Sequence, residues 1–442
     1  MKPFLRIGWL GRLWLYGMFL AALPAAARGA DSGSGSVPQG AVTAPGVAPA
    51  KAGLTLEDVV RITLENQSSI KSAGYQTKAQ DAVLKQQMAA YYPEVTFNNS
   101  YLAKRNTGDS LSSVANLSMT LYNFGKREGT VQSARDTLAA TQYSYNATAN
   151  NAVLAAKQAY YGILRAHALV NVNEETVKNR EALLRQSQSF YEVGTKPKSD
   201  MTQAEANLYL AQANLIVARN GVDVAWANLK TVMGVDDFSR QPLGEELAIT
   251  PFSLSLEQAK ETAFAARPEL LQFDAQLKAQ DQLIAVARRN HLPDLVFSSR
   301  YGRENSQPDL FPLHPTWQVL LSFDIPIFNG FKTTYQVQEA MSNYGSTKEQ
   351  LRVQRQQVAF EVEQNYLDLN AAKDVVRANE AAVRAAKENL ELHEARYQVG
   401  FAPIVEVTDA QTTYTTAQTN YVNSLIAYKL SIAQLLNAIG KQ

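Results

Sequence analysis

The sequence predicts a chain built twice from one mixed unit, in which long coiled-coil α-helices alternate with short amphipathic β-strands of membrane-crossing length. Three observations carry this. An internal register runs through most of the 442 residues, heptads occupy long proline-free stretches, and apolar and polar residues alternate in four short runs.

The register is direct. Leu54, Leu56 and Glu57 recur 200 positions later as Leu254, Leu256 and Glu257, Lys78-Ala79-Gln80-Asp81 recurs as Lys278-Ala279-Gln280-Asp281, and Pro93 as Pro293. Beyond this the shift becomes 206, joining Lys126 to Lys332, Tyr160 to Tyr366, Gly194 to Gly400, Pro197 to Pro403 and Gly234 to Gly440, so six extra residues lie between Pro293 and Lys332. We place the first repeat at residues 53–245 and the second at 246–442. Each reads as helix, β-hairpin (94–122 and 294–327), long helix, helix.

Ahead of the repeats, Lys2, Arg6 and Arg12 precede an apolar run, Leu13 to Ala22, and the small residues Pro24 to Ala27, so residues 1–30 read as a secretory signal peptide. Residues 31–52 are mostly Gly, Ser, Pro and Ala, and read as a disordered linker.

Within each repeat proline punctuates. None occurs from Glu94 to Lys196 or from Phe331 to Ala402. The stretch from Gly125 to Gly194 is long enough for a helix on the order of 100 Å. Leu56 to Tyr91 and Ser199 to Met233 are about half that length, so two of them end to end match one long helix. In the latter, Leu208, Leu215, Val222 and Leu229 recur every seven residues, with Ala211, Ala218, Ala225 and Val232 three places on, which is a coiled-coil seam. The second repeat carries Tyr414, Tyr421, Tyr428 and Leu435 in the same register, a row better explained by packing than by chemistry.

The strands follow a period of two. Val95, Phe97 and Tyr101 alternate with polar residues, as do Ala115, Leu117, Met119 and Leu121; Leu295, Phe297 and Tyr301; and Trp317, Val319, Leu321, Phe323 and Ile325. Each run is about ten residues, enough to cross a bilayer as a tilted strand with one face to lipid. Four strands leave open edges, which hydrocarbon does not tolerate, so strands must come from further copies; two, three or four copies give an even total of eight or more.

These features resemble outer-membrane efflux proteins of the TolC type. The resemblance is carried by the duplicated helical halves, the strand pairs entered after Pro93 and Pro293, Tyr122-Asn123-Phe124-Gly125-Lys126, Pro326-Ile327-Phe328-Asn329-Gly330 and the two Val-Gly turns, and it covers Leu54 to Gln442. It implies a homotrimer in which four strands per chain form a 12-stranded barrel in outer-membrane lipid, continuous with a coiled-coil barrel in the periplasm. It further implies a passive, gated exit duct of a tripartite efflux or type I secretion system, served by a periplasmic adaptor (membrane fusion protein) and an inner-membrane pump.

Residue roles come with it. Val193-Gly194-Thr195 and Val399-Gly400-Phe401 correspond to the adaptor-docking turns, with Phe401 departing from the motif. Glu406 and Asp409 correspond to an acidic ring at the tunnel entrance, where threefold symmetry would gather carboxylates that favour cations. Taken alone, the pair also suits a helix N-terminus. Asp200 and Tyr397 correspond to a closed-state link, whose cationic member is missing because Ala402 occupies its position.

Composition narrows the rest. With 42 Lys and Arg against 41 Asp and Glu, and no basic run, no nucleic-acid partner is expected. The four histidines, His167, His291, His314 and His393, show no metal-ligand spacing, there is no cysteine, and no nucleophile or phosphate-loop motif appears, so neither catalysis, a cofactor nor a metal is expected. A periplasmic helical scaffold without channel activity is the alternative, but it leaves the alternating strands unexplained. A secreted enzyme acting on cell-wall material is weaker still, for want of an acid–base pair.

Overall fold

The computed structural model describes residues 53–103, 109–244, 254–305 and 312–441. The expected signal peptide, the linker and the junction between the repeats lie outside them.

Helix α1 (Leu56–Asn66) opens on a capping box in which the Thr55 hydroxyl accepts from Asp58 N–H and the Asp58 carboxylate accepts from Thr55 N–H. Its counterpart α5 (Leu256–Ala266) has the same device from Ser255 and Gln258. Sequence periodicity suggests one helix from Leu56 to Tyr91, but the chain breaks at Gln67 (ψ 124°) before α2 (Ser68–Met88) and a short 3-10 turn, Ala89–Tyr91. The second repeat breaks identically at Arg267, where Pro268 begins α6 (Pro268–Arg289) and keeps its predecessor extended.

No proline marks the first break; a tertiary contact accompanies it. The long helix α3 (Lys126–Glu192) is followed by α4 (Lys198–Met233), which ends at Gly234 in the left-handed region (φ 70°). A Cβ there would lie 2.9 Å from Gln67 Cα. The second repeat has α7 (Lys332–Gln398) and α8 (Ile404–Ala438), and a Cβ on Gly440 (φ 76°) would meet the Ala266 carbonyl at 3.0 Å. Each helix terminus is thus seated in the notch left by the interrupted helix of its own repeat.

Both long helices have 67 residues. Buried positions correspond at the 206 shift: Ala152 with Val358, Ala156 with Val362, Ile163 with Leu369, Leu229 with Leu435 and Met233 with Ile439. Each repeat therefore centres on a core built on one plan with different residues, and Ile426 of α8 joins the core of the first repeat. Helix α3 packs on α4, α7 on α8, and α3 also on α8, which leaves α4 and α7 at the outer flanks of the four.

The strands β1 (Glu94–Leu102), β2 (Ser110–Tyr122), β3 (Asp294–Asn305) and β4 (His314–Asp324) form one antiparallel sheet in the order β1-β2-β3-β4. The two expected hairpins are joined by pairing of β2 with β3, whose residues lie nearly two hundred positions apart. Opposite residues share a face in an antiparallel ladder. Val95 opposes Leu117 and Phe97 opposes Ala115; Leu117 opposes Ser299, which opposes Val319; Met119 opposes Phe297, which opposes Leu321; Tyr301 opposes Trp317. One face is thereby apolar and aromatic. The other carries Asn98, Asn116, Ser118, Ser298, Arg300 and Gln318, with Arg300 held by Glu304 at 2.6 Å.

Sheet and helices meet at a polar joint between the repeats, where Lys126 pairs with Asp294 at 2.9 Å and Arg289 donates to the Gly125 carbonyl at 2.9 Å. Among the described residues no helix is long and apolar enough to cross a membrane.

Candidate functional site

The residues singled out by sequence come together where α3 turns into α4 and α7 into α8. Both long helices end in the same six-residue hydrogen-bonded closure: Gly194 N–H donates to Tyr191 O (2.9 Å) and Thr195 N–H to Phe190 O (2.9 Å), while Gly400 N–H donates to Tyr397 O (3.0 Å) and Phe401 N–H to Arg396 O (2.8 Å). The two glycines take φ of 73° and 85°, and a Cβ on either would meet nothing within 4 Å. Backbone conformation, not space, demands glycine. Gly400→Ala is accordingly expected to cost about 1–2 kcal/mol, measured as a drop in thermal stability; an unchanged melting temperature would contradict this account of the turn.

Pro197 and Pro403 follow as N-caps with ψ near 156° and 157°, starting α4 and α8 without a side-chain cap. The apolar tips face outward: Val193 is 71%, Val399 66% and Phe401 81% exposed. They stand on rigid, hydrogen-bonded turns, with Thr195 Oγ1 donating back to Phe190 O at 2.9 Å.

Behind the tips a small core joins all four helices: Leu183 of α3, Ala204 of α4, Tyr397 of α7, Ala402, and Ile404 and Val407 of α8. Tyr397 is fully buried, edge-on to Phe190 with ring centroids 5.6 Å apart. Within the chain its hydroxyl shares a hydrogen bond with Ser187 (3.3 Å), while Asp200 stands near enough to act on it through its charge. Burial is the largest influence, raising the phenol above its ordinary range; the Ser187 bond opposes and the Asp200 carboxylate adds to the rise. Tyr397 therefore stays neutral at physiological pH. A cation does reach this point: Lys196 Nζ lies 5.2 Å from the centre of the Tyr397 ring and donates to the Ala402 carbonyl at 3.4 Å. The ammonium comes from the first turn of the chain, at the very residue whose own side chain carries no charge.

Glu406 and Asp409 sit in the first two turns of α8, but not as equivalent carboxylates. Glu406 is engaged by His393 Nδ1 at 3.1 Å and Arg396 Nη1 at 3.3 Å, both from α7. Asp409 is exposed and acts on Arg180 of α3. Arg180 is buried and donates to Thr412 Oγ1 (2.9 Å); burial lowers its affinity for the proton and Asp409 partly restores it. Arg180 begins a polar line between α3 and α8 that continues through Thr176 with Thr415 (3.0 Å) and Glu175 with Gln418 (2.8 Å). Sequence reading missed Ser187, Lys196, Arg180 and His393. Only His393 carried a local signal, lying thirteen residues before Glu406 across the turn.

Comparison with known proteins bears on the family and the fold. A family model described as outer membrane efflux protein matches residues 59–235 and 260–441. The outer membrane protein TolC of Vibrio cholerae is 25% identical over 402 residues, covering 87% of this chain and 90% of that protein. Its namesake in Escherichia coli is 26% identical over 368 residues, covering 78% and 73% respectively. Among solved structures, the CmeC outer membrane channel of Campylobacter jejuni shares the fold with a TM-score of 0.77 at 20% identity, covering 88% of this chain and 86% of that one. The two matched stretches fall one in each repeat, and the chain belongs to the outer membrane efflux protein family.

Proposed function

We propose that this protein is the outer-membrane exit duct of a tripartite efflux or type I secretion system: a homotrimer that conducts substrate passively from a periplasmic adaptor and an inner-membrane pump to the exterior. One observation carries the reading. The chain is laterally unfinished at both levels. Among the described residues the sheet ends in β1 and β4, whose outer edges have no neighbouring strand, and the helices end in α4 and α7, whose outer faces expose apolar residues at heptad spacing: Leu210, Val217 and Val224 on α4, and Val353, Phe360 and Leu367 on α7.

Two different open edges on one chain fit a head-to-tail ring. In hydrocarbon, unpaired strand edges must be closed. Three copies would give twelve strands, among the even totals that such barrels adopt. On the α3/α4 side of the helical seam a groove of about 600 Å³ includes Gly162, Ala166, Leu169, Val217, Gly221 and Val224. The apolar band of the sheet would face lipid and its polar face the lumen.

The exposed tips Val193, Gly194, Thr195 and Val399, Gly400, Phe401 are then the adaptor-docking turns, Asp200 and Tyr397 belong to the closed-state link, and Glu406 and Asp409 line the tunnel entrance. Energy comes from the pump, since the duct itself has no need of catalysis.

The test is purification from separated membranes, native mass in mild detergent and conductance in planar bilayers. A trimer from the outer membrane that conducts, and whose preference for cations over anions falls several-fold in Glu406→Gln with Asp409→Asn, is the expected result. A soluble, non-conducting periplasmic monomer would overturn it in favour of a helical scaffold.

A further inference from the structure

We propose that His393 sets the ion selectivity of the duct, acting through Glu406 so that cation preference weakens as the medium acidifies. The inference rests on the proposed place of Glu406 and Asp409 at the tunnel entrance. It adds a residue that the acidic-ring picture does not contain.

A ring of free carboxylates attracts cations in proportion to its uncompensated charge. Here Glu406 is already paired: Arg396 approaches the same carboxylate oxygen, Oε2, that His393 contacts. The groups around His393 can be followed helix by helix. From α8 come Glu406 and Asp409. From α3 comes Arg180, next to Asp409. From α7 itself come Arg396, Glu394, which accepts from Gln411 at 3.4 Å, and Glu391, whose charge acts on Tyr414 of α8. The first turn adds Lys196 and Asp200, an ammonium and a carboxylate that both act on Tyr397 and offset each other.

Four carboxylates, Glu391, Glu394, Glu406 and Asp409, thus stand against two guanidinium groups, Arg180 and Arg396. Two net negative charges remain per chain while His393 is neutral. A proton on His393 halves that excess.

Histidine is the side chain whose charge ordinarily changes between about pH 5 and pH 8. His393 is suited to respond in place, being half-buried with its Nδ1 on Glu406 and solvent still in reach. Because the imidazole lies on the α7 side of the turn and Glu406 on the α8 side, its proton changes the entrance charge without altering either acidic residue.

The sign follows. At neutral pH the entrance is net acidic and prefers cations. Towards acid pH His393 gains its proton, the excess negative charge of the entrance shrinks, and the preference falls.

The experiment is reversal potential across a salt gradient in planar bilayers, with the full-length trimer, at about pH 7.5 and about pH 5.5. Wild type is expected to lose about half or more of its cation preference on acidification. His393→Gln, which keeps a donor for Glu406 but cannot titrate, should hold most of that preference, and any residual change belongs to the carboxylates. His393→Arg, permanently charged, should show at neutral pH the weak preference that wild type shows in acid. Native mass confirms that each variant is assembled.

If both variants follow the wild-type pH profile while Glu406→Gln and Asp409→Asn still alter selectivity, the role of His393 is overturned and the entrance stands. If those two substitutions have no effect either, the entrance assignment falls, and this inference with it.

Discussion

Leu367→Asp is expected to leave the chain folded but unable to close into a trimer. The side chain is 58% exposed within one chain, so the substitution removes little from the chain's own core. In a ring it would be covered. The internal register of 206 brings Gly162 to Leu169 of α3 level with Asp368 to Val375 of α7. The groove bounded by Gly162, Gly221 and Val217 is therefore at the height of Leu367. Burying an unpaired carboxylate costs several kcal/mol after relaxation, and the ring would meet that cost once per interface. Native mass in mild detergent should show monomers that retain helical circular dichroism. Val217→Asp, on the opposite edge, should act alike. A heat-resistant trimer in both variants would mean that the α4 and α7 seams do not form the interface.

Tyr397→Ala should open the tip. It removes a fully buried ring from the core that joins all four helices, together with the hydroxyl on Ser187 and the face beneath Lys196. Truncating a buried aromatic costs about 3–5 kcal/mol. Tyr397→Phe keeps the ring and loses only a hydrogen bond worth about 1 kcal/mol, so the two variants should grade the effect. Conductance of single trimers in bilayers is the readout: low in wild type, slightly raised in Tyr397→Phe, large and sustained in Tyr397→Ala. An assembled Tyr397→Ala trimer with wild-type conductance would show that this core does not hold the channel shut.

Much of this architecture is legible because it is periodic or punctuated. The heptads of α4 and α8 mark a seam, and Leu208, Val222, Leu229, Tyr414, Tyr428 and Leu435 are buried as that spacing requires. Proline and glycine mark the turns. Strand alternation fixes which face is apolar, and the ladder keeps it on one side across all four strands up to the irregularity between Thr120 and Tyr122, where Leu121 leaves the register.

The break at Gln67 is not legible, since its polar surroundings would serve a helix equally well. It is matched to the close approach of Gly234, a residue far along the chain. The pairing of β2 with β3 likewise joins segments from different repeats, and no local pattern names a strand's second neighbour.

The same division runs through the candidate site. The sequence by itself determined the duplicated unit, the helices and strands, the glycine turns and the acidic pair, because each rests on periodicity or on the conformation of one or two residues. Only the tertiary structure decided that Tyr397 meets Ser187 and Lys196, that Arg180 lies beneath Asp409, and that Glu406 is shared by His393 and Arg396. Those partners are chosen by how α3, α7 and α8 pack, and packing is a property of pairs of surfaces rather than of spacing along the chain.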